Sequence, residues 1–345
     1  MGGAHRALSP RLAFPAHPRH DGATEEVPMN RRALLGGLLA TPAVATAQAQ
    51  FTRPVRLVVP FPPGGSNDVI ARPLAEKLQS RLGQPVVVEN RAGAGGSIGA
   101  GQVAGSAPDG TTLMITSSSF AASAVVQRTP YDAERSFETV ALLARAPFIV
   151  LTNPDFPPRD IGALVAYLKA NPGRVDYGSS GPGGINHFVT EQFALAAGVR
   201  VNHVPYRGMP PAVTDLLAGH IQMLITTIAS ASAAVRENRV RSLAYTDEGG
   251  LPGGPEVPTV KAATGIDFTA SIWWGLLAPR GLPPAVSAAL QEAIRDALTE
   301  PDVARIYAAE GARPAFSGAD AYQRELGTEI ARFRDVASRA NIRAE

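Results

Sequence analysis

Two loops of the sequence combine glycines with small polar residues in a way that suits the binding of an anion. The first, Phe61–Asp68 (FPPGGSND), follows a strand predicted over Val55–Pro60 and leads into a helix predicted over Asn67–Leu82. The second, Ser179–His187 (SSGPGGINH), again joins a predicted strand to a predicted helix. In open α/β sheets, ligands lie outside the carboxyl ends of strands, where the free N–H groups of helix N-termini point. The two loops together therefore predict an anion site.

The composition of the first loop has a physical reason if a ligand binds there. Gly64 and Gly65 carry no side chain that would keep a ligand away from the backbone. Pro62 and Pro63 fix φ, so the loop loses little entropy when it becomes ordered. The alternative is an ordinary turn in which a small polar residue caps the helix. The spacing within this one loop does not decide between the two interpretations.

Other chemistry finds less support in the sequence. Ile98 stands where a GxGxxG motif beginning at Gly93 would need its last glycine, and no Walker lysine follows the glycines of this segment. The segment Gly178–Gly181 misses the GxSxG spacing of serine hydrolases by one residue. Ser180 and His187 would still form the reacting pair of a secreted serine hydrolase, which is the alternative function. The chain has no cysteine and no histidine motif for a metal, so we expect neither a metal nor a cofactor.

The first 49 residues differ from the rest and predict export. Residues 1–28 are interpreted as a mis-called start, because Met29 opens a segment with two arginines and an apolar stretch. This segment ends in Ala45-Thr-Ala47 and Ala47-Gln-Ala49, two small-x-small patterns typical of cleavage sites. The signal is therefore expected to be cleaved near Ala47 or Ala49, which would place the mature protein in the periplasm. Whether export uses the general or the twin-arginine route stays open.

Removal of this segment changes the charge of the chain. The whole sequence has 32 basic and 30 acidic residues, and the first 49 residues contain five of the former and three of the latter. The mature chain would therefore carry 27 of each and have no formal net charge. Because it has no overall basic field, we expect no binding of nucleic acid, and any anion must be bound locally.

The pattern after residue 50 alternates between strand-like and helix-like segments and runs through this alternation twice. Alternation of this kind predicts parallel sheets covered by helices, and two sets predict two α/β domains. Two separate strands are predicted over Thr139–Ala144 and Phe148–Thr152. The pair Trp273-Trp274 lies in an apolar strand and is interpreted either as core or as the lining of a cleft.

Five segments of the chain resemble a known family in their order and spacing. They are PVRLVVPFPPGGSNDVIARPLAEKL, GQPVVVENRAGAGGSIGA, APDGTTLMITS, HVPYRGMPPAVTDLLAGHIQML and WWGLLAPRGLPP. Over about residues 51–345 the chain resembles the periplasmic substrate-binding proteins of tripartite tricarboxylate transporters, the Bug family. This resemblance implies a type II periplasmic-binding-protein fold, α/β in class, with a ligand cleft between two domains. Domain 1 would comprise residues 51–150 and 275–345, and domain 2 residues 151–274.

The resemblance also implies what the protein binds and which residues bind it. A small organic carboxylate would be held by loop N–H groups and hydroxyls, without catalysis, and passed to the permease subunits of a tripartite transporter. A monomer is expected, and a receptor subunit for carboxylate sensing is a further alternative. The implied ligand-binding residues are Phe61, Pro63, Gly64, Gly65, Ser66, Asn67, Asp68, Ser117, Ser118, Ser119, Ser179, Ser180, Gly183, Gly184, Asn186, His187 and Thr226.

One departure from the family pattern bears on the ligand. Many members have an Asp-Asn pair where this chain has Thr226-Thr227. A threonine hydroxyl has no charge to balance a buried ammonium group, but it can donate to a carboxylate or a hydroxyl. We therefore expect a dicarboxylate, a tricarboxylate or a hydroxy acid in preference to aspartate or glutamate. An aromatic carboxylate is the second choice if Trp274 lines the cleft.

Overall fold

The structure is a computed structural model that describes residues 51–248 and 254–343. The predicted start, the export signal and its cleavage sites lie outside these residues. The strands are β1 Val55–Val59, β2 Val86–Asn90, β3 Thr112–Ser117, β4 Phe137–Thr152, β5 Asp176–Ser179, β6 Asn202–Pro205, β7 Met223–Thr227, β8 Arg241–Tyr245, β9 Ser271–Pro279 and β10 Arg313–Gly318. The helices are α1 Ser66–Leu82, α2 Ser97–Ala104, α3 Ser118–Val126, α4 Ile161–Ala170, α5 Ile185–Ala197, α6 Met209–Ala218, α7 Ser232–Arg236, α8 Val260–Thr264, α9 Pro284–Leu298, α10 Pro301–Ala309 and α11 Ala319–Ala340.

The strands pair in the order β2-β1-β3-β9-β4-β7-β5-β6, and both β8 and β10 pair with β4. The pairs β1–β2, β1–β3, β5–β6 and β5–β7 are parallel, as the alternation of strands and helices predicts. The pairs that involve β4 or β9 are antiparallel. The sheet is therefore mixed, with a parallel group at each end and two long antiparallel strands between them.

The two strands predicted over Thr139–Ala144 and Phe148–Thr152 are one strand, β4, of 16 residues. Its first part, up to Pro147, pairs with β9, and its last part pairs with β7 and β8. Pro147 stands at the point where the partners change, and this is where a strand tolerates the loss of a backbone N–H. The gap between the two predicted strands is therefore not a break in β4 but contains the point where its partners change.

The strands that carry the two predicted loops are buried and fix the loops in space. Leu57, Val58 and Val59 of β1 have no exposed surface, and neither does Tyr177 of β5. The strand predicted over Val55–Pro60 and the helix predicted over Asn67–Leu82 agree with β1 and α1 to within one residue at each end. The sequence did not predict α3, α7, α8 or β10. Among the described residues, no helix has the length and apolar character that a membrane span requires.

The two adjacent tryptophans belong to the core. Trp273 and Trp274 on β9 are each 1% exposed. The indole N–H of Trp273 donates to the carboxylate of Glu329 on α11, and its ring packs edge-on against Tyr322 at a centroid distance of 5.3 Å. Of the two interpretations that the sequence left open, core and cleft lining, the structure supports the core. The predicted division into two domains stays a prediction.

Candidate functional site

Helix α1 begins at the end of the first loop without a capping side chain. Gly65 is its N-cap residue, and the carbonyl of Gly65 accepts from the N–H groups of Asp68 and Val69 at 2.9 and 3.0 Å. The N–H groups of Ser66 and Asn67 precede these and have no partner among the described residues. Asn67 is 5% exposed, and its side-chain oxygen also has no partner there. This helix end therefore offers free donors.

The carboxylate of Asp68 is engaged in hydrogen bonds that stabilise the first loop. Its carboxylate accepts from the N–H of Gly64 at 3.0 Å and from the side-chain amide of Asn90 at 3.0 Å. Arg72 adds two hydrogen bonds of 2.8 Å. Burial alone would raise the pKa of Asp68, but the hydrogen bonds from Arg72, Gly64 and Asn90 outweigh it and hold this pKa below its ordinary value. The ionised carboxylate is therefore the stable form in the fold.

The second loop is tied to strand β7 through Asn186. The side-chain amide of Asn186 donates to the carbonyl of Ile225 at 2.9 Å, and its oxygen accepts from the hydroxyl of Ser180 at 3.2 Å. Gly184 is the N-cap residue of α5, again without a capping side chain. Its carbonyl accepts from the N–H of Phe188 at 3.2 Å, which leaves the first-turn N–H groups free.

His187 and His203 stack beneath the second loop at a centroid distance of 3.8 Å. Nδ1 of His187 accepts from the N–H of Gly183 at 3.2 Å, and Nε2 of His203 lies 2.6 Å from the hydroxyl of Ser179. Burial lowers the pKa of His187 to about 3, with a contribution from His203, and burial lowers that of His203 to about 4. Both rings are therefore neutral at neutral pH, and they stabilise the second loop through their contacts with Gly183 and Ser179.

The hydrolase alternative fits this arrangement poorly. The hydroxyl of Ser180 donates to Asn186, whereas the Nδ1 of His187 is occupied by a backbone N–H. The serine that does contact a histidine is Ser179, and it has no exposed surface. A nucleophile and its base must lie within hydrogen-bond reach of one another and of a substrate. Neither serine meets both conditions.

Both loops line one cavity of about 750 Å³. Nine of the predicted site residues lie in its lining, namely Phe61, Gly64, Gly65, Ser66, Asn67, Ser117, Ser119, Ser180 and Asn186. Eight lie outside the lining, namely Pro63, Asp68, Ser118, Ser179, Gly183, Gly184, His187 and Thr226. The structure thus brings the two loops to the same place and puts several of their residues in supporting positions.

Four helices begin at this cavity. The lining contains Ser66 at the start of α1, Ser119 in the first turn of α3, Ile185 at the start of α5 and Met209 at the start of α6. Each helix N-terminus presents unpaired N–H groups and the positive end of the helix dipole. The convergence of four such ends makes the cavity attractive to an anion, although its described lining contains no basic side chain.

A second cavity of about 810 Å³ lies elsewhere, beside β8 and α7. It contains none of the predicted site residues. Its Arg241 donates to the carbonyls of Pro154, Phe156 and Pro158, so this guanidinium is already engaged. No helix of eight residues or more begins in its described lining. The smaller cavity is therefore the better candidate for an anion site.

A sequence profile described as "Tripartite tricarboxylate transporter family receptor" matches residues 70–342. The chain belongs to this family. It is 37% identical over 310 residues to Protein BugT of Bordetella pertussis, a match that covers 88% of this chain and 95% of that protein. The family resemblance seen in the sequence is confirmed. The family's members are receptors that bind solutes and are not enzymes.

Solved structures similar to this receptor include two with carboxylates. A protein from R. palustris with adipate has a TM-score of 0.72 and 31% identity, and the match covers 85% of this chain and 98% of that one. MatC from Rhodopseudomonas palustris with bound malate has a TM-score of 0.68 and 31% identity, with coverage of 83% and 99%. The receptor therefore has the type II periplasmic-binding-protein fold, and the predicted fold class is confirmed.

Part of the receptor's lining was missed by the sequence reasoning. It comprises Phe148, Gly208, Met209, Pro210, Ala229, Ser230, Ile272 and Glu310, whereas Pro62 and Ile185 lie within the two predicted loops and Thr227 lies beside the predicted Thr226. The segment Gly208–Pro210 had a signal, because a third glycine-containing loop leads from a strand into a helix there. Glu310 had none, because it follows α10, far along the chain from either loop.

The register of β7 decides which threonine faces the receptor's cavity. Thr226 has no exposed surface, and its hydroxyl has no partner among the described residues. Thr227 lies in the lining, and its hydroxyl pairs with that of Ser230 at 2.9 Å. Successive side chains of a strand point to opposite faces. Thr227, and not Thr226, is therefore the threonine whose hydroxyl can contact a ligand in the cavity.

Proposed function

We propose that this chain is a periplasmic receptor that captures a small organic carboxylate and delivers it to the membrane permease of a tripartite transporter. The convergence of the N-termini of α1, α3, α5 and α6 on one cavity carries this proposal. Because oriented N–H groups and helix dipoles favour negative charge, a carboxylate is the natural occupant. Its oxygens would accept from the free N–H groups of Ser66 and Asn67 on one side and of Ile185 and Asn186 on the other.

The strength expected of such a site is sufficient without a basic side chain. Hydrogen bonds to a charged group contribute about 1.5–3 kcal/mol each. A micromolar dissociation constant corresponds to about 8 kcal/mol. Three to five charge-assisted hydrogen bonds therefore reach micromolar affinity once the ordering of the ligand is subtracted.

The lining indicates the class of carboxylate. Hydroxyls dominate its polar side chains, since Ser66, Ser117, Ser119, Thr227 and Ser230 all lie there. Hydroxyls and N–H groups suit a ligand rich in oxygen acceptors. We propose a dicarboxylate, a tricarboxylate or a hydroxy acid, and the adipate and malate bound by two relatives support this class. Trp274 is buried and absent from the lining, so the observation that would have favoured an aromatic carboxylate is not made.

The remaining parts of the function follow from the same proposal. The residues predicted for domain 1 (51–150 and 275–345) and domain 2 (151–274) would close on the ligand. This motion would press the first loop, in domain 1, against the second loop, in domain 2. The protein would act as a cleaved, periplasmic monomer and present its closed form to the permease subunits. The long strands β4 and β9 connect the two parallel groups and would serve as the hinge.

Calorimetric titration of the mature protein tests the proposal. Malate, succinate, adipate, citrate and aspartate are titrated at neutral pH, and a thermal shift is recorded for each. We expect at least one non-amino carboxylate to bind with a dissociation constant on the order of 1 µM, because of the four helix ends. Equal and negligible binding of every acid, with the protein folded, would refute the proposal.

A further inference from the structure

Glu310 is the one charged side chain in the described lining of the cavity. It stands directly after α10, and its N–H donates to the carbonyl of Tyr307 at 3.0 Å. The hydroxyl of Tyr307 in turn donates to the carbonyl of Ile70 in α1 at 3.1 Å. Tyr307 therefore anchors the end of α10 to the helix whose first turn forms the anion site. The position of Glu310 at the cavity is set by packed structure.

The carboxylate of Glu310 has no partner in the part of the chain that the structure describes. No ion pair or side-chain hydrogen bond involves it, and Arg313, three residues further on, lies 3.7 Å from Asp247 instead. The residue is partly buried, and this burial raises the pKa of its carboxyl. A partly buried carboxylate without a donor is unfavourable in the empty protein. A donor brought by the ligand would remove that penalty.

We propose that Glu310 is a specificity residue that accepts a hydrogen bond from a hydroxyl group of the ligand. This inference rests on the proposed function, in which one carboxylate of a non-amino acid occupies the helix ends. A hydroxyl on the ligand then meets the acceptor that the lining supplies. A second ionised carboxylate at the same place is repelled, because like charges in a partly buried site disfavour each other. The receptor should therefore prefer a hydroxy acid to the unsubstituted acid and to an acid with a second carboxylate at that place.

The same geometry predicts how the selection can be changed. A glutamine at position 310 keeps the size of the side chain but adds an N–H donor and removes the charge. The Glu310→Gln variant should weaken the preference for a hydroxyl, because its neutral amide oxygen is a poorer acceptor than a carboxylate, and it should bind a second carboxylate more tightly. A residue that serves only to hold α10 in place would change all affinities alike. The ratio of affinities between matched ligands is therefore the informative measurement.

The experiment titrates carboxylates of three to six carbons in four matched forms: unsubstituted, hydroxy, amino and with a second carboxylate. In the unmodified protein we expect the hydroxy form to bind about tenfold more tightly than the unsubstituted form of the same length, the difference of one charge-assisted hydrogen bond. In Glu310→Gln this ratio should decrease, because a neutral acceptor replaces a charged one, and the second carboxylate should gain affinity. Glu292→Gln, at an exposed position on α9, should leave every ratio unchanged.

Several results would overturn the inference. These are a hydroxy form that binds no better than the unsubstituted acid, an amino form that binds best, and a ratio that Glu310→Gln leaves intact. Binding of some carboxylate in those cases would show that the proposed function holds while the role of Glu310 fails. If no acid of the set binds the folded, unmodified protein, the proposed function itself fails. Thermal unfolding of both variants checks that each is folded.

Discussion

The carboxylate of Asp68 accepts a hydrogen bond from the backbone N–H of Gly64 at 3.0 Å and so closes the first loop onto the helix that follows it. The ring formed by this contact contains Gly65 and Ser66, which both line the cavity. The free N–H groups of α1 are therefore held in place before any ligand arrives. Donors that are already ordered bind an anion without a further loss of entropy.

A side chain at position 65 should block the anion site without unfolding the protein. Gly65 has φ of −77° and ψ of 166°, which any residue adopts. A Cβ there would meet only the carbonyl of Pro62, at 3.5 Å. We expect Gly65→Val to reduce carboxylate affinity at least about 100-fold, because the larger side chain occupies the place of the ligand, with little change in melting temperature. Calorimetry and thermal unfolding measure the two effects.

Substitutions at two other glycines can be compared with Gly65→Val. At Gly184 a Cβ would lie 2.7 Å from the hydroxyl of Ser180 and 3.1 Å from the carbonyl of Gly181, so a substitution there would disturb the loop itself. Gly327 in α11 has free space around its Cβ position. Gly327→Ala should raise the unfolding free energy by about 0.5–1 kcal/mol and leave binding unchanged. Full affinity of Gly65→Val would show that the ligand does not approach the start of α1.

Removal of the Asp68 carboxylate should weaken both folding and binding. In Asp68→Ala the N–H of Gly64 and the amide of Asn90 lose their buried acceptor, which costs about 1–3 kcal/mol of stability. The loop would no longer hold its donors in place, so affinity should fall as well. Urea denaturation and calorimetry give the two values.

Arg72→Ala is the control for this contact. It removes the other partner of the ion pair, but the side chain of Arg72 is 55% exposed, so the loss should stay below about 1 kcal/mol. Asp68 would keep its hydrogen bonds to Gly64 and Asn90. If Asp68→Ala kept the affinity of the unmodified protein, the loop would owe its shape to its prolines and glycines alone.

The two glycine-containing loops at the cavity could be predicted from the sequence because their signal is local. Glycine, proline and small polar residues between a strand and a helix are visible within eight or nine letters, and parallel strands bring such loops to one edge. The start of α3 was missed because its run of serines has the composition of a loop. In the structure this helix contributes Ser119 to the lining, and its N-cap residue Ser117, the last residue of β3, lies there too.

The parts of the site that the sequence did not predict depend on tertiary structure. Glu310 reaches the cavity only because α10 packs on α1, and no pattern near residue 310 encodes that contact. The choice between Thr226 and Thr227 depends on the register of one strand, where a shift of a single residue reverses the faces. The single strand β4 was predicted as two strands, because the exchange of partners along it involves strands distant in sequence that no local pattern reveals.

Because His187 and His203 are buried and stacked, we expect the unfolding free energy to decrease in mild acid. The pKa values of His187 and His203 are lowered in the fold to about 3 and about 4, whereas an unfolded chain has histidines near 6.5. As the pH falls below about 6.5, the unfolded chain takes up protons that the folded chain does not. The unfolding free energy should therefore decrease with falling pH, by up to about 1.4 kcal/mol per pH unit for each proton.

This pH effect is measured between pH 7 and pH 5, above the range in which most carboxylates titrate. Replacement of both histidines, His187→Gln with His203→Gln, should flatten the dependence of the melting temperature on pH. His220 has a side chain that is 71% exposed, so His220→Gln should leave the slope as it is. An unaltered slope in the double variant would show that other groups govern the acid response.

The adjacent threonines of β7 should respond in opposite ways to the same substitution. The hydroxyl of Thr226 is buried without a partner among the described residues, so Thr226→Val removes an unsatisfied polar group and keeps the shape. We expect it to stabilise the protein by about 1 kcal/mol and to leave binding unchanged.

Thr227→Val should lower affinity instead, because it removes a hydroxyl from the lining and leaves that of Ser230 without its partner at 2.9 Å. The loss of one hydrogen bond corresponds to about 0.5–1.5 kcal/mol, or roughly a threefold to tenfold weaker dissociation constant. Calorimetry with the preferred acid and thermal unfolding of both variants distinguish the two positions. Weaker binding by Thr226→Val, together with unchanged binding by Thr227→Val, would mean that the opposite face of β7 meets the ligand. In that case the chemistry of the ligand would again have to be argued from Thr226.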